Sequence, residues 1–130
     1  VVEETNSSIT RTLAETNKWY NMINDPETEK YILIGNELMP GAKIISYVND
    51  AKKSVVISAE ALPELDEEHD YQMWADVEGV MINMGVIDTS ENMLVMNYID
   101  RAESLNITIE PAGGSDHPNV SQLVTNIYLK

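Results

Sequence analysis

Ile107-Thr-Ile-Glu-Pro-Ala-Gly-Gly-Ser-Asp-His-Pro118 opens with the alternation of a strand, Ile107 and Ile109 on one face and Thr108 and Glu110 on the other. Pro111 has a fixed φ and no N–H for a ladder, so it ends the strand or confines it to an edge. Gly113-Gly114 permits the positive φ of a tight turn. Ser115 and Asp116 are residue types that bond neighbouring amides and hold such a turn, and Pro118 biases His117 to extended geometry. A period-two strand therefore delivers a stiff, polar loop. It reads either as a structural corner or as a recognition loop at the end of a sandwich.

The same two-residue period governs most of the chain. Tyr31–Ile34 is a short, fully apolar strand closed by Gly35, and Met39-Pro40-Gly41 is a turn. Ala42–Val48 and Ser54–Ala59 are strands joined by a polar hairpin connection over 49–53. Leu62-Pro63 breaks the pattern, and an acidic loop runs from Glu64 to Asp70. Tyr71-Gln-Met-Trp-Ala75 places Tyr71, Met73 and Ala75 on one face and Gln72 and Trp74 on the other, with Trp74 expected under a rim of the sandwich. Val80–Ile87 carries Gly85, which signals a bulge or a close backbone approach. Met93–Met96 is a short strand, 98–105 a link with one helical turn around Asp100–Glu103, and Val120–Tyr128 the closing strand.

Ahead of the strands, residues 3–24 read as a helix. Ile9, Leu13, Tyr20 and Ile23 recur at mostly four-residue spacing, Asn6, Ser7 and Ser8 offer capping oxygens, and Asp25-Pro26 supplies the stop. One helix followed by about eight short strands predicts an all-β fold, an antiparallel sandwich or barrel rather than alternating βα units, and of the two an Ig-like antiparallel β-sandwich is the expected fold. The division this implies is an N-terminal helical segment over 1–26 and a sandwich domain over 27–130.

At 130 residues the chain is long enough for one domain with a real core. It contains no cysteine, which excludes disulfides, thiol catalysis and Cys-based zinc sites. It has no Phe, so two Trp, six Tyr and seven Met must fill the interior. No apolar run is long enough to span a bilayer, and the start at Val1-Val2 reads as that of a fragment or processed chain. The net charge of −14 is lopsided: residues 54–130 hold fourteen acids against Arg101 and Lys130. Such a surface repels phosphate backbones and anionic headgroups, so no nucleic acid and no direct membrane-surface binding is expected.

Catalytic constellations are weak. Ser115, Asp116 and His117 are triad residue types, but consecutive side chains diverge, and no Gly-x-Ser-x-Gly elbow is present. Gly113-Gly114 lacks the Lys-Ser/Thr of a phosphate cradle. His69 and His117 have no partners at metal-ligand spacing, Met73, Met81 and Met84 lack the Cys of a blue-copper site, and Glu64–Asp70 lacks the Asp-x-Asp-x-Asp-Gly pattern for Ca²⁺. The expectation is no catalytic residue, no metal and no cofactor. A carboxylate-based hydrolase remains a formal third reading, since the chain has 22 acids.

Three stretches in order resemble one family. Tyr71-Gln-Met-Trp74 is similar to the Tyr-Gln-Leu-Trp strand of the C-terminal, extracytoplasmic domain of anti-sigma-K-type factors. Ala61-Leu62-Pro63 resembles the family's Gly-Leu-Pro turn, with Ala61 where Gly is usual. Gly85-Val86-Ile87 fits the strand that follows, and Ile107 to Pro118 resembles the Thr-hydrophobe-Glu-Pro-x-Gly-Gly-Ser ending, with Asp116-His117 in place of a less charged pair. Tyr20-Asn-Met22, Gly35 and the Pro40–Tyr47 strand also sit where bacteroidete members place similar residues.

The resemblance implies a single-pass protein of the bacterial inner membrane. Its outer domain, this chain, would lie on the periplasmic side as a sensor or regulatory sandwich, not an enzyme, with 1–26 as a juxtamembrane spacer helix and 27–130 as the extracytoplasmic β-sandwich domain. A cytoplasmic domain not present here would hold an extracytoplasmic-function (ECF) sigma factor, released by regulated proteolysis through an envelope protease or envelope signalling protein. The candidate recognition surface comprises Tyr71, Gln72, Trp74, Glu110, Pro111, Gly113, Gly114, Ser115, Asp116 and His117. The alternative reading is a stand-alone cell-envelope binding module for carbohydrate or Ca²⁺, which an exposed Trp19 or Trp74 beside the acidic loop would support.

Overall fold

Eight strands make up nearly all the regular structure of the computed structural model, which describes residues 20–129. They are β1 (Thr28–Ile34), β2 (Lys43–Asn49), β3 (Ser54–Ala61), β4 (His69–Val77), β5 (Val80–Ile87), β6 (Met93–Met96), β7 (Ser104–Pro111) and β8 (Leu123–Tyr128). Every pairing is antiparallel, in two four-stranded sheets ordered β1-β2-β3-β6 and β5-β4-β7-β8. Counted from β2, the first, second and fifth strands face a sheet ordered fourth, third, sixth, seventh. That is the connectivity of an immunoglobulin-like sandwich, with β1 added at the edge beside β2.

The period-two pattern explains the core. Tyr31, Leu33, Ile44, Val48, Val55 and Ile57 of the first sheet and Tyr71, Met73, Ala75, Leu105 and Ile107 of the second are buried in one apolar cluster. Each such side chain contributes on the order of 1.5–3 kcal/mol when fully withdrawn from water. Met73, Met84 and Met96 fill the interior of a chain without Phe. Ser46 is the polar exception: fully buried in the core-facing row, its Oγ has no hydrogen-bond partner.

The two sheets are also tied at their sides. The Asn36 N–H and Nδ2 donate to the carbonyls of Val124 and Leu123 at 2.8 and 2.6 Å, and Thr125 Oγ1 donates to Ile34 O at 2.7 Å, joining β1 to β8. Across the molecule the Asn97 N–H donates to Met84 O at 2.9 Å, bringing the end of β6 to β5. Between β4 and β5, Glu78-Gly79 form a two-residue turn with φ of +53° and +84°, the mirror-image geometry that matches strand twist.

Several local expectations are revised. The helix predicted over 3–24 lies outside the described residues except for its last turn at 20–23, where the Asn24 N–H donates to Tyr20 O at 3.0 Å. Tyr31–Ile34 is not buried on both faces: Ile32 and Ile34 point outward from an edge strand and are 42 % and 66 % exposed. No helical turn forms at 100–103. Arg101 takes φ +61°, a turn geometry, and β7 already begins at Ser104. The Tyr98 hydroxyl of that link donates to Asp50 Oδ1 at 2.7 Å; burial and this bond push its pKa up to about 12. The closing strand begins at Leu123, after a 3₁₀ turn over Val120–Gln122. The bulge predicted at Gly85 is present: Met73 opposes Gly85 and Trp74 opposes Asn83, with Gly85 at φ +124°.

Candidate functional site

β4 and β7 are neighbouring central strands, and their alternate residues point away from the core. On β4 these are Asp70, Gln72 and Trp74; on β7 they are Asn106, Thr108 and Glu110. An outer face of this kind is ordinarily wet. Here Gln72, Trp74, Asn106, Thr108 and Glu110 are all at most 3 % exposed. The segment 112–122 between β7 and β8 is bonded to this face.

The attachment runs through side chains of the sheet and backbone of the loop. The Ala112 N–H donates to Glu68 O at 2.8 Å, and the Gly113 N–H to Asp70 Oδ2 at 2.9 Å. Gln72 makes a two-way clamp: its Oε1 accepts the Ser115 N–H at 2.8 Å and its Nε2 donates to Ser115 O at 3.1 Å. The same Nε2 donates to Asn83 Oδ1 at 2.8 Å, which also accepts the Gly85 N–H of the bulge at 2.8 Å. Farther along the loop, the Asn119 N–H donates to Glu110 Oε2 at 2.7 Å.

Trp74 belongs to the same network. Its indole N–H donates to Thr108 Oγ1 at 2.9 Å, and that hydroxyl donates in turn to Glu110 Oε2 at 2.6 Å. Donors along this chain all point toward one carboxylate, so each bond polarises the next. Gly113 and Gly114 both take φ +90°, as the turn predicted. A Cβ on Gly114 would stand 2.9 Å from Gln72 Oε1 and 2.9 Å from Val86 Cγ2, so only glycine lets the backbone come this close to the sheet.

The ten predicted surface residues separate into two groups. Tyr71, Gln72, Trp74 and Glu110 are at most 2 % exposed, and of these four Glu110 alone lines the groove beside Leu65 and Pro111. Pro111, Gly113, Asp116 and His117 are exposed, and Gly114 and Ser115 partly so. Trp74 is fully buried on the outward face of β4, with its indole N–H on Thr108 of β7. Tyr71 points inward, and its hydroxyl donates to Pro63 O at 2.6 Å, fastening the Leu62-Pro63 turn; burial pushes this phenol's pKa up. Among the described residues the side chains of Ser115 and Asp116 make no hydrogen bond to the turn. The bonds come from the sheet side instead, through Asp70, Gln72 and Glu110. Asp70, Asn83, Thr108 and Asn119 escaped the sequence reading, in which Thr108 was simply one polar residue on a wet face.

Chemically, this arrangement is a fastening: neutral donors converge on one carboxylate and one amide. Among the described residues no group of three or more His, Cys, Asp or Glu is placed to hold a metal ion. A two-sheet sandwich with a loop locked over the outside of one sheet defines a β-sandwich domain whose three marked stretches interlock. They do so through the pairs Tyr71–Pro63, Gln72–Ser115 and Trp74–Thr108.

The chain belongs to the family described as "Anti-sigma-K factor rskA, C-terminal", whose model matches residues 2–123. It is also similar to an uncharacterized protein encoded in the phr 5′ region of Streptomyces griseus, with 34 % identity over 86 residues. That match covers 64 % of this chain and 36 % of the relative, so the chain spans about a third of the length of that protein. No solved structure matches the chain.

Proposed function

We propose that this domain is the envelope-side regulatory part of a membrane-anchored anti-sigma factor. In this reading a single transmembrane helix outside the chain holds it on the periplasmic side of the bacterial inner membrane. A cytoplasmic domain, also outside the chain, binds an ECF sigma factor, and the sandwich controls release of that factor through regulated proteolysis. The domain senses and transmits without catalysis of its own. Among the described residues no helix is long and apolar enough to cross a membrane, so the anchor in this reading is assigned elsewhere.

The observation that supports the reading is the clamped loop. Cleavage needs an opened segment, and the population of opened chain is set by the free energy of local unfolding. A loop held by a few hydrogen bonds gives the domain a closed form and a nearby open form. The test uses the full-length protein in bacterial cells with a reporter of sigma-dependent transcription. Gly114→Val, which forces the loop off Gln72, is expected to increase cleavage and raise the reporter. A variant with melted loop but unchanged cleavage and reporter would overturn the proposal. The carbohydrate-module reading leaned in part on an exposed Trp74, and Trp74 is 0 % exposed.

A further inference from the structure

Glu110 carries a second feature that its role as a loop anchor leaves unused. Its side chain is 2 % exposed, and both hydrogen bonds it accepts, from Thr108 Oγ1 and the Asn119 N–H, fall on Oε2. Among the described residues Oε1 accepts no hydrogen bond and no Lys, Arg or His forms an ion pair with this carboxylate, and Oε1 is not one of the fully buried atoms, so it keeps contact with solvent. Buried carboxylates are paired with a cation as a rule, because desolvating the charge alone is costly. Glu110 also lines a groove of about 410 Å³, within the size range of ligand sites. Leu65 and Pro111 give the groove apolar walls, and Asp66 with His69 stands at its exposed lip. His69 is already engaged: its Nδ1 lies 2.6 Å from Asp66 Oδ1.

We propose that this groove binds a basic side chain, an arginine or lysine of a protein partner, with its N–H groups on Glu110 Oε1 and its apolar stem against Leu65 and Pro111. A guanidinium or ammonium supplies the missing counter-charge, and a long alkyl stem suits the walls. The fourteen acids of residues 54–130 draw such a partner in from a distance. The inference stands on the groove and not on the anti-sigma reading, and either can fail without the other.

The experiment is a titration of the isotopically labelled 130-residue chain with acetyl-Gly-Arg-Gly-amide, followed by amide chemical shifts. Parallel arms use the lysine and the neutral citrulline peptides and calcium chloride. Saturable shifts centred on Glu110, Asn119 and His69 with arginine or lysine, absent with citrulline and with Ca²⁺, support the proposal. Glu110→Gln keeps an acceptor for Thr108 and Asn119 and is expected to weaken binding about tenfold with unchanged Trp emission. If that variant loosens the loop, Asp66→Asn decides, because Asp66 anchors no part of the loop; a several-fold weaker affinity is expected. Equal shifts with citrulline, shifts reproduced by Ca²⁺ alone, shifts scattered over the acidic surface, or full binding by both variants would each overturn the site.

Discussion

Gln72 and Ser115 are 43 residues apart and are joined as two strand residues would be, one N–H···O bond in each direction. One partner is a side-chain amide, so a backbone segment is paired to the face of a sheet rather than to its edge. The clamp sits on the face of the central strand β4, and Gly114 lies close to Val86 of the neighbouring edge strand β5.

Replacing Gln72 by Leu removes that clamp and leaves the Ser115 N–H and Asn83 Oδ1 short of a partner. The expected loss is about 2–4 kcal/mol. Guanidinium unfolding in a Trp19→Phe background, where Trp74 is the sole indole, reads it directly. A loss below about 1 kcal/mol would mean that Asp70 and Glu110 hold the loop without Gln72.

Gly113 and Gly114 share φ +90° but not surroundings: a Cβ at Gly113 meets nothing within 4 Å, and one at Gly114 meets Gln72 and Val86. Gly113→Ala is expected to cost about 1 kcal/mol of backbone strain alone, and Gly114→Val about 3 kcal/mol or more, with red-shifted Trp74 emission. Equal losses at the two sites would show that the close approach at Gly114 carries no energetic weight.

Ser46 keeps a buried hydroxyl without a partner. Ser46→Ala removes an unsatisfied group at little cost in packing and is expected to be neutral or stabilising by up to about 1 kcal/mol. A thermal melt suffices, and a clear fall in Tm would reveal an unrecognised hydrogen bond.

His69 and Asp66 form an exposed pair with opposite shifts: the bond to Asp66 raises the imidazole above 6.5, and the bond to His69 lowers the carboxyl below 3.8. A raised His pKa stabilises the fold below the unfolded value, and that gain is lost as pH rises through the folded value. A lowered Asp pKa stabilises above the unfolded value, and that gain is lost as pH falls through the folded one. The pair therefore contributes between about pH 4 and 6.5 and fades on either side. Stability of His69→Asn relative to the unmutated chain, measured from pH 3 to 9, should show its largest deficit inside that window. A pH-independent difference would show that the pair's effect is not ionic.

The strands were legible because period two is a strong signal where one face is buried: Tyr71, Met73 and Ala75 could be assigned inward from their spacing alone. The Gly85 bulge and the positive φ at Gly113-Gly114 were legible because few other residues serve there. Outward residues on the same strands were not. Alternation assigns Gln72, Trp74, Thr108 and Glu110 to the outer face correctly, and ordinary experience then calls that face wet. Their burial is a long-range fact that local pattern does not carry. The turn over 98–103 failed for a related reason: its acidic and basic residues suit a helix, yet Arg101 takes a left-handed geometry where the chain enters β7.

The added edge strand β1 gives the domain a direction of mechanical weakness. It pairs with β2 alone, antiparallel, from Thr28 opposite Asn49 to Ile34 opposite Lys43. Tension applied through residues 20–27 meets the exposed Lys52–Asp25 contact and the Thr28 end first, then peels the ladder one pair at a time. The far end is stapled to β8 through Asn36 and Thr125 and yields last. A pull from that side therefore unzips a fringe of the first sheet while the seven-strand sandwich, and the Gln72–Ser115 clamp on the opposite sheet, stay shut.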